Sequence, residues 1–205
     1  SLVITEQWFG AHIVDDDGLT VPIRVQERLS EHGDRAAARK GREIAAQTTV
    51  WVGPEDDIEF RQVELRNLGD RVLDLELISA FEVTLAAPSA DEAHPAFSNL
   101  FLRSSWQPAQ QALRFERKPR LPTEPALHAA HFLAEGDAAI QALRVQTDRL
   151  HWLGRNRDPS QPLASFADPG AGASDGGEIA LDTGLDPVCA MSVRVQLPPG
   201  GKIRL

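Results

Sequence analysis

An all-β fold, either a sandwich or a barrel, is predicted by three features of the sequence. Apolar residues alternate with polar ones over several long stretches, turn residues such as Gly, Pro and Asp recur between these stretches, and helical periodicity is almost absent. About ten strands are expected, as is usual for such folds. No internal repeat is visible in the chain.

The clearest alternating stretch covers residues 71–85, and the rest of the prediction is organised around it. Its apolar residues occupy every second position, with Ser79 as the only gap. They are Leu73, Leu75, Leu77, Phe81, Val83 and Leu85. A period of two predicts a long half-buried strand with one apolar face and one mostly polar face.

A second β-like run lies immediately upstream, at residues 58–67. The two runs are joined by Leu68, Gly69 and Asp70, which have the chemistry of a turn. The pair therefore predicts an antiparallel hairpin in the middle of a large sheet.

Further strands are predicted on both sides of this pair. They cover residues 43–52, 97–106, 113–118, 127–135, 139–147 and 188–197, and a last strand follows the turn at 198–201. Residues 86–96 predict a loop, because they are rich in Pro and small residues. Residues 26–42 are highly charged and fit either a short helix or a solvated loop, and the sequence leaves both alternatives open.

The composition narrows the range of partners and compartments. A net charge of −9 argues against nucleic-acid binding and against direct contact with an anionic membrane surface. No apolar run is long enough to span a bilayer. The single cysteine, Cys189, lies on the apolar face of its predicted strand beside Met191 and is expected in the core. A chain without an internal disulfide fits a reducing, cytoplasmic location.

The two ends of the chain suggest an excised piece of a larger protein. The first residue is Ser1, and the last residues, from Lys202 to Leu205, resemble a strand that is cut short. We therefore expect residues 1–205 to form a single β-sandwich domain, a fragment of a longer multidomain chain.

The sequence predicts no catalytic residue, no metal site and no cofactor. Nucleophile, P-loop and dinucleotide motifs are missing. His128 and His131 are three residues apart, so on a strand they point to opposite faces and do not share an ion. The acidic runs at 15–17 and 55–57 are expected to be solvated turns.

One segment has the residues of a binding site. It contains the candidates Asp148, Arg149, Arg155, Asn156 and Arg157. The guanidinium groups stand beside Trp152, and planar fork-like donors next to an aromatic ring suit sugar hydroxyls or phosphate. The alternative is a structural loop whose arginines pair with acidic neighbours.

Several motifs in this order resemble the cellobiose and chitobiose phosphorylase family. They are HPAFSNLF at 94–101, Glu124-Pro125 with Ala129-Ala130-His131, Thr147-Asp148-Arg149 with 152–157, and the stretches 185–188 and 193–200. The sequence is most similar to the phosphorylase-like C-terminal part of cyclic β-1,2-glucan synthases. The likeness covers residues 43–205 and, more weakly, the start of the chain.

The resemblance implies a large two-sheet antiparallel supersandwich of the galactose mutarotase type. In the family this domain precedes a helical linker and an (α/α)6 barrel, which holds the catalytic acid and the phosphate site. The catalytic acid is therefore expected outside this chain. The expected partners are the downstream barrel, β-glucan, phosphate and a second subunit, because family members are dimers in which a sandwich loop reaches the other active site.

That loop is similar to residues 147–157, and the resemblance strengthens the functional interpretation of Asp148, Arg149, Arg155 and Arg157. The chain departs from the family pattern at Gln146, Trp152, His128 and Asn156, where Glu, Phe, Trp and Gly are expected. The Gly-to-Asn change at Asn156 is expected to alter the shape of the loop.

Three functions follow as hypotheses. The first is an accessory domain of a glycan-processing enzyme, in cyclic β-1,2-glucan synthesis or β-glucan phosphorolysis, with a parent protein in the bacterial inner membrane. The second is an independent carbohydrate-binding module that uses its four tryptophans, Trp8, Trp51, Trp106 and Trp152. The third is a sugar epimerase of the mutarotase type, for which His131 is the nominated base.

Overall fold

Strands make up most of the structure, a computed structural model that describes residues 7–14, 20–24, 27–29, 35–40, 44–53, 55–134, 142–156, 181 and 185–205. The strands are β1 (Gln7–Val14), β2 (Thr20–Arg24), β3 (Glu27–Leu29), β4 (Arg35–Lys40), β5 (Ile44–Val52), β6 (Glu59–Asn67), β7 (Leu73–Glu82), β8 (Leu102–Gln107), β9 (Ala112–Arg117), β10 (Leu127–Phe132), β11 (Ala142–Asp148), β12 (Pro187–Leu197) and β13 (Lys202–Arg204). The short helices are α1 (Pro88–Ala93), α2 (Pro95–Asn99) and α3 (Arg149–Leu153), and one 3-10 turn covers Pro108–Gln110.

The described strands form three sheets. Two have five strands, in the orders β11-β12-β7-β1-β2 and β13-β6-β5-β4-β3, and the third has the order β10-β9-β8. Neighbouring strands such as β5 and β6, or β8 and β9, pair antiparallel. The predicted all-β antiparallel supersandwich class is confirmed, and the three-stranded sheet is an addition that the alternation did not predict.

The chain divides into two compact units. Unit 1 contains residues 1–8, 79–133 and 142–192, and unit 2 contains residues 9–78, 134–141 and 193–205. The chain changes unit within β7 and again within β12.

The predicted hairpin of β6 and β7 is wrong. β6 pairs with β5 and β13, whereas β7 lies in another sheet between β12 and β1. Asn67, at the end of β6, is fully buried and organises the link. Its amide donates to the carbonyls of Arg71 (2.7 Å) and Leu197 (3.0 Å), and its side-chain oxygen accepts from the amide of Gly69 (2.9 Å). These bonds satisfy backbone groups at the turn, so the chain leaves its sheet there instead of folding back as a hairpin.

The strand β7 is confirmed, but its predicted polar face is not. The six alternating apolar residues are buried as expected, and Glu76, Ile78 and Ala80 on the other face are buried as well. In β12 the same is true of Ala190 and Ser192. Small or apolar residues on the second face permit this, and burial on both faces is typical of interior strands.

Two further stretches differ from the prediction. Where residues 26–42 are described, at 27–29 and 35–40, they form the strands β3 and β4 and not the helix or loop that were left open, and β4 pairs with β5 from Arg35↔Val50 to Lys40↔Ala45. Pairing with a neighbouring strand overrides the weak local preference. Residues 86–96 contain α1 and the start of α2, each with a proline in its first turn, where the missing N–H costs nothing.

Cys189 lies in the core as expected, and the two histidines of β10 contact different partners. Cys189 is fully buried. Nδ1 of His128 lies 3.2 Å from a guanidinium nitrogen of Arg114, whereas the ring of His131 packs edge-on against Phe81, 5.3 Å between centroids. Within the described ranges, no three potential ligands lie close enough to hold a metal ion. Residues 15–17 lie outside the described part.

No helix in the described part of the chain is long and apolar enough to cross a membrane.

Candidate functional site

Segments far apart in the sequence meet on one surface of unit 1. The amide of Lys118 donates to the carbonyl of Phe101 (2.9 Å), the side chain of Asn99 donates to the carbonyl of Leu185 (3.0 Å), and the amide of Arg149 donates to the carbonyl of Asp186 (2.9 Å). We call the segments joined in this way, residues 94–101, 118–124, 147–156 and 185–186, the motif cluster. Each of the four overlaps a stretch on which the family resemblance rests.

Asp148 begins the short helix α3. Its carboxylate oxygen Oδ1 accepts from the amides of Leu150 (2.8 Å) and His151 (3.2 Å). This is N-capping, which satisfies amides that have no partner within the helix. The segment predicted as a loop is therefore a capped helix, and Asp148 has a structural role in it.

Arg149 is also committed to internal contacts. Its Nε lies 3.0 Å from Oε1 of Glu82, and its Nη1 lies 3.5 Å from Oδ2 of Asp186. The side chain is one third exposed. The predicted alternative, an arginine paired with acidic neighbours, describes Arg149 well, because two carboxylates flank its charge.

Trp152 packs α3 against the interior of unit 1. Trp152 is 2% exposed and Leu153 is 1% exposed. The helix ends at Gly154, whose amide donates to the carbonyl of Leu150 (2.7 Å) and whose φ of +75° lies in the region that favours glycine. Trp152 is thus a core residue, with no exposed ring face for a sugar.

Arg155 and Asn156 form the exposed turn that follows α3. Asn156 has a φ of +58°, a left-handed conformation that Asn tolerates better than most residues. Glycine, which the resemblance led us to expect at this position, would also favour this conformation. Within the described residues, the guanidinium of Arg155 has no hydrogen bond or ion pair. Arg157 lies outside the described residues.

The cluster contains a second arginine site that the sequence prediction missed. The guanidinium carbon of Arg120 lies 5.5 Å from the ring centre of Phe97 and 5.6 Å from that of Phe101, and these rings pack edge to face with centroids 5.4 Å apart. Such cation–π contacts favour Arg. The i, i+4 spacing of the two phenylalanines was a signal, but nothing in the sequence linked them to Arg120.

Glu124 holds Arg120 in place. Its Oε2 accepts from the amide of Arg120 (2.8 Å), and its Oε1 lies 3.7 Å from the guanidinium. The hydrogen bond from the Arg120 amide, and then the guanidinium charge, keep the pKa of Glu124 below its usual value. Large apolar side chains are exposed next to these groups, namely Phe97 at 48%, Leu100 at 58% and Leu121 at 58%.

The motif cluster thus combines recognition groups without an evident catalytic pair. It presents an exposed arginine and asparagine in a turn, a second arginine on an aromatic pair, and an exposed apolar patch. Guanidinium and amide donors of this kind bind hydroxyls, carboxylates or phosphate.

Comparison with known proteins identifies the family of this chain. The family described as "Glycosyl hydrolase 94, supersandwich domain" matches residues 26–205. The chain is similar to the cyclic beta-(1,2)-glucan synthase NdvB of Rhizobium meliloti (strain 1021), with 30% identity over 161 residues, which are 78% of this chain. The chain spans only 6% of the length of that relative. With its sheets and motif cluster, the chain belongs to the family of glycosyl hydrolase 94 supersandwich domains.

Proposed function

We propose that this chain is a non-catalytic accessory domain of a larger enzyme that makes or phosphorolyses β-glucan. Residues 1–205 form one sandwich domain in that enzyme, pack on a catalytic (α/α)6 barrel and shape the acceptor side of its site. Membership of the supersandwich family and the small share of the synthase relative that the chain spans support this proposal. Whether the parent enzyme is a synthase or a free phosphorylase is left open.

The observation that carries the proposal is that residues 147–156 combine residues that anchor the segment with residues that are exposed. Asp148, Arg149 and Trp152 anchor α3 by capping, ion pairing and burial, so that the following turn is presented from a fixed base. Arg155 and Asn156 are exposed in that turn. Arg155 offers a rigid fork of donors to a sugar hydroxyl or a phosphate, and Asn156 offers both a donor and an acceptor.

The apolar patch supports the packing role. Phe97, Leu100 and Leu121 are about half exposed, and exposed apolar side chains grouped in this way mark interaction sites. We propose that the barrel of the same polypeptide, or a second subunit of a homodimer, covers this patch and brings the turn to its active site. A cytoplasmic location with a parent in the bacterial inner membrane belongs to the same proposal, and the acidic charge and lone cysteine support it.

The test is made in the full-length parent enzyme. Arg155→Ala is expected to raise the KM for the glucan acceptor about tenfold, with a smaller change in kcat, because a binding contact is lost and the reacting groups are untouched. Arg103→Ala is the matched control, since Arg103 is an exposed arginine on β8 outside the motif cluster. Unchanged acceptor kinetics in Arg155→Ala would count against the site role.

An independent carbohydrate-binding module stays the alternative, and the structure narrows the tryptophans that could serve it. Trp152 is buried, Trp106 is half-buried, and the side chain of Trp8 lies outside the described part. Trp51 is 36% exposed and is the tryptophan best able to stack on a sugar. The epimerase hypothesis depends on His131. In the structure, the ring of His131 packs edge-on against Phe81.

A further inference from the structure

The solvent-facing side of the β5, β6 and β13 strands in unit 2 has a composition distinct from the motif cluster. Alternate residues of these strands are buried on one side, among them Ile44, Val63, Leu65 and Ile203. The other side carries Gln47, Thr49, Trp51, Phe60, Gln62, Glu64, Arg66, Lys202 and Arg204, which we call the aromatic–amide face. Register places these residues in rows, with Trp51 opposite Phe60, Thr49 opposite Gln62, and Gln47 opposite Glu64.

The aromatic row is a rigid pair of rings. The centroids of Trp51 and Phe60 are 5.2 Å apart, and the ring planes differ by only 13°. The side chains are 36% and 42% exposed. Stacking uses one face of each ring, so the pair retains aromatic surface for another partner while each ring restricts the rotation of the other.

The charged residues of this face lie at one end of it, where Arg66, Lys202 and Arg204 accompany a single carboxylate, Glu64. Glu64 lies 2.7 Å from Nζ of Lys202 and 3.0 Å from Nε of Arg204, and Glu59, next to Phe60, lies 2.6 Å from Nε of Arg61. The row between the aromatic pair and Glu64 consists of a hydroxyl and an amide, at Thr49 and Gln62. The exposed groups there are thus uncharged donors and acceptors.

We propose that the aromatic–amide face binds a segment of an uncharged glucan chain. The apolar C–H side of one glucose unit stacks on the Trp51–Phe60 pair, and hydroxyls of the following units bond to Thr49, Gln62 and Gln47. Side chains on one face of a strand repeat about every 7 Å, so the rows offer successive contacts along a chain. The ligand class rests on the proposed function, whereas the site is separate from the motif cluster.

A neutral ligand fits this face better than the obvious competitors. A uniformly charged polymer would be repelled at one end of this face, an anionic one by the exposed acidic turn with Asp56 and Asp57 beyond the aromatic pair and a cationic one by the arginines and the lysine at the Glu64 end. A protein partner would be expected to cover a mainly apolar centre, whereas amides and paired charges occupy most of these rows. A second copy of this chain is therefore an outcome to be tested against the proposal.

The experiment is calorimetric titration of this chain with neutral linear β-1,2-gluco-oligosaccharides. Trp51→Ala is expected to weaken binding about tenfold, which corresponds to the loss of one stacking contact. Phe132→Ala is the matched control, because it removes an exposed aromatic ring on β10 that lies outside both the motif cluster and the aromatic–amide face, and it is expected to leave the Kd unchanged. The double variant Gln47→Ala/Gln62→Ala is a second probe in case Trp51→Ala does not fold, and it is expected to weaken binding at least fivefold.

Three outcomes would overturn the proposal. They are no binding heat with the unmodified chain, equal affinity in the Trp51 and double variants, and a dimer in sedimentation that Trp51→Ala dissolves, which would assign the face to a second copy. Each of these leaves the Arg155 test in the parent enzyme unaffected. Conversely, unchanged kinetics in Arg155→Ala together with a Trp51-dependent Kd would remove the site role of the motif cluster and retain this one.

Discussion

The motif cluster of unit 1 and the aromatic–amide face of unit 2 are assembled in different ways. The cluster joins four segments distant in sequence through individual hydrogen bonds such as that from Asn99 to Leu185. The face consists of paired strands whose register alone places Trp51 beside Phe60. A surface of the first kind depends on a few anchors, whereas one of the second kind depends on the regularity of the sheet.

This difference separates anchoring residues from presented ones. In residues 147–156 of the cluster, Asp148, Arg149 and Trp152 anchor the segment, and Arg155 and Asn156 are exposed in the turn that follows α3. On the face, the aromatic residues both stack on each other and remain exposed. Substitutions in the cluster should therefore divide into those that change stability and those that change binding.

The largest expected effect comes from comparing two tryptophans. Trp152→Ala should lower the free energy of unfolding by about 3–5 kcal/mol, because it empties a buried site under α3. Trp51→Ala should cost less than about 1.5 kcal/mol, because it removes mainly the stacking on Phe60. Urea unfolding followed by circular dichroism measures both values. Equal costs would contradict the distinction between anchor and presented ring.

A smaller effect is expected at the helix cap. Asp148→Ala should destabilise the protein by about 1 kcal/mol, because the amides of Leu150 and His151 lose their acceptor. Asp148→Asn keeps a capping oxygen and should recover most of that loss, which separates capping from charge. If Asn were as destabilising as Ala, the carboxylate charge would be the important feature and the capping interpretation would be wrong.

The smallest expected effect concerns pH and the edge of the aromatic–amide face. Hydrogen bonds from Lys202 and then Arg204 lower the pKa of Glu64 below its usual value of 4.5. A carboxyl with a lowered folded-state pKa stabilises the fold above its unfolded pKa, and this contribution is lost as the pH falls through the folded value. Glu64→Gln should therefore flatten the dependence of stability on pH on the acid side, because the variant lacks the contribution that the unmodified protein loses as the pH falls. At higher pH the slope should be the same in both proteins. An unaltered slope in thermal unfolding at pH 3–5 would exclude this role.

Alternation predicted the strands well but not their partners. The runs that became β5, β6, β7, β9 and β12 were identified because burial on one face imposes a period of two. The same period does not say which strand lies alongside, so the β6–β7 hairpin was wrong. The decisive group was a single side chain, Asn67, whose buried amide bonds to two backbone groups of the adjoining link and to the distant carbonyl of Leu197.

The residue types of the candidate site were enough to locate it in the sequence. They did not show which of its residues anchor the segment and which are exposed. Nothing in the sequence distinguishes Arg149 from Arg155, because the partners of Arg149 are Glu82 and Asp186, distant in sequence on either side. Arg120 was not predicted for the same reason, because the two phenylalanines that it contacts lie in another segment. The roles of Arg155 and Asn156 in binding stay predictions, as does that of Arg157.

The account is tested most directly by the acceptor KM of the full-length parent enzyme carrying Arg155→Ala, with Arg103→Ala as control. We expect an increase of about tenfold for Arg155→Ala and none for Arg103→Ala, while the thermal stability of both variants matches that of the unmodified enzyme. The same KM in all three proteins would contradict the claim that the motif cluster presents a ligand-binding turn from an anchored helix.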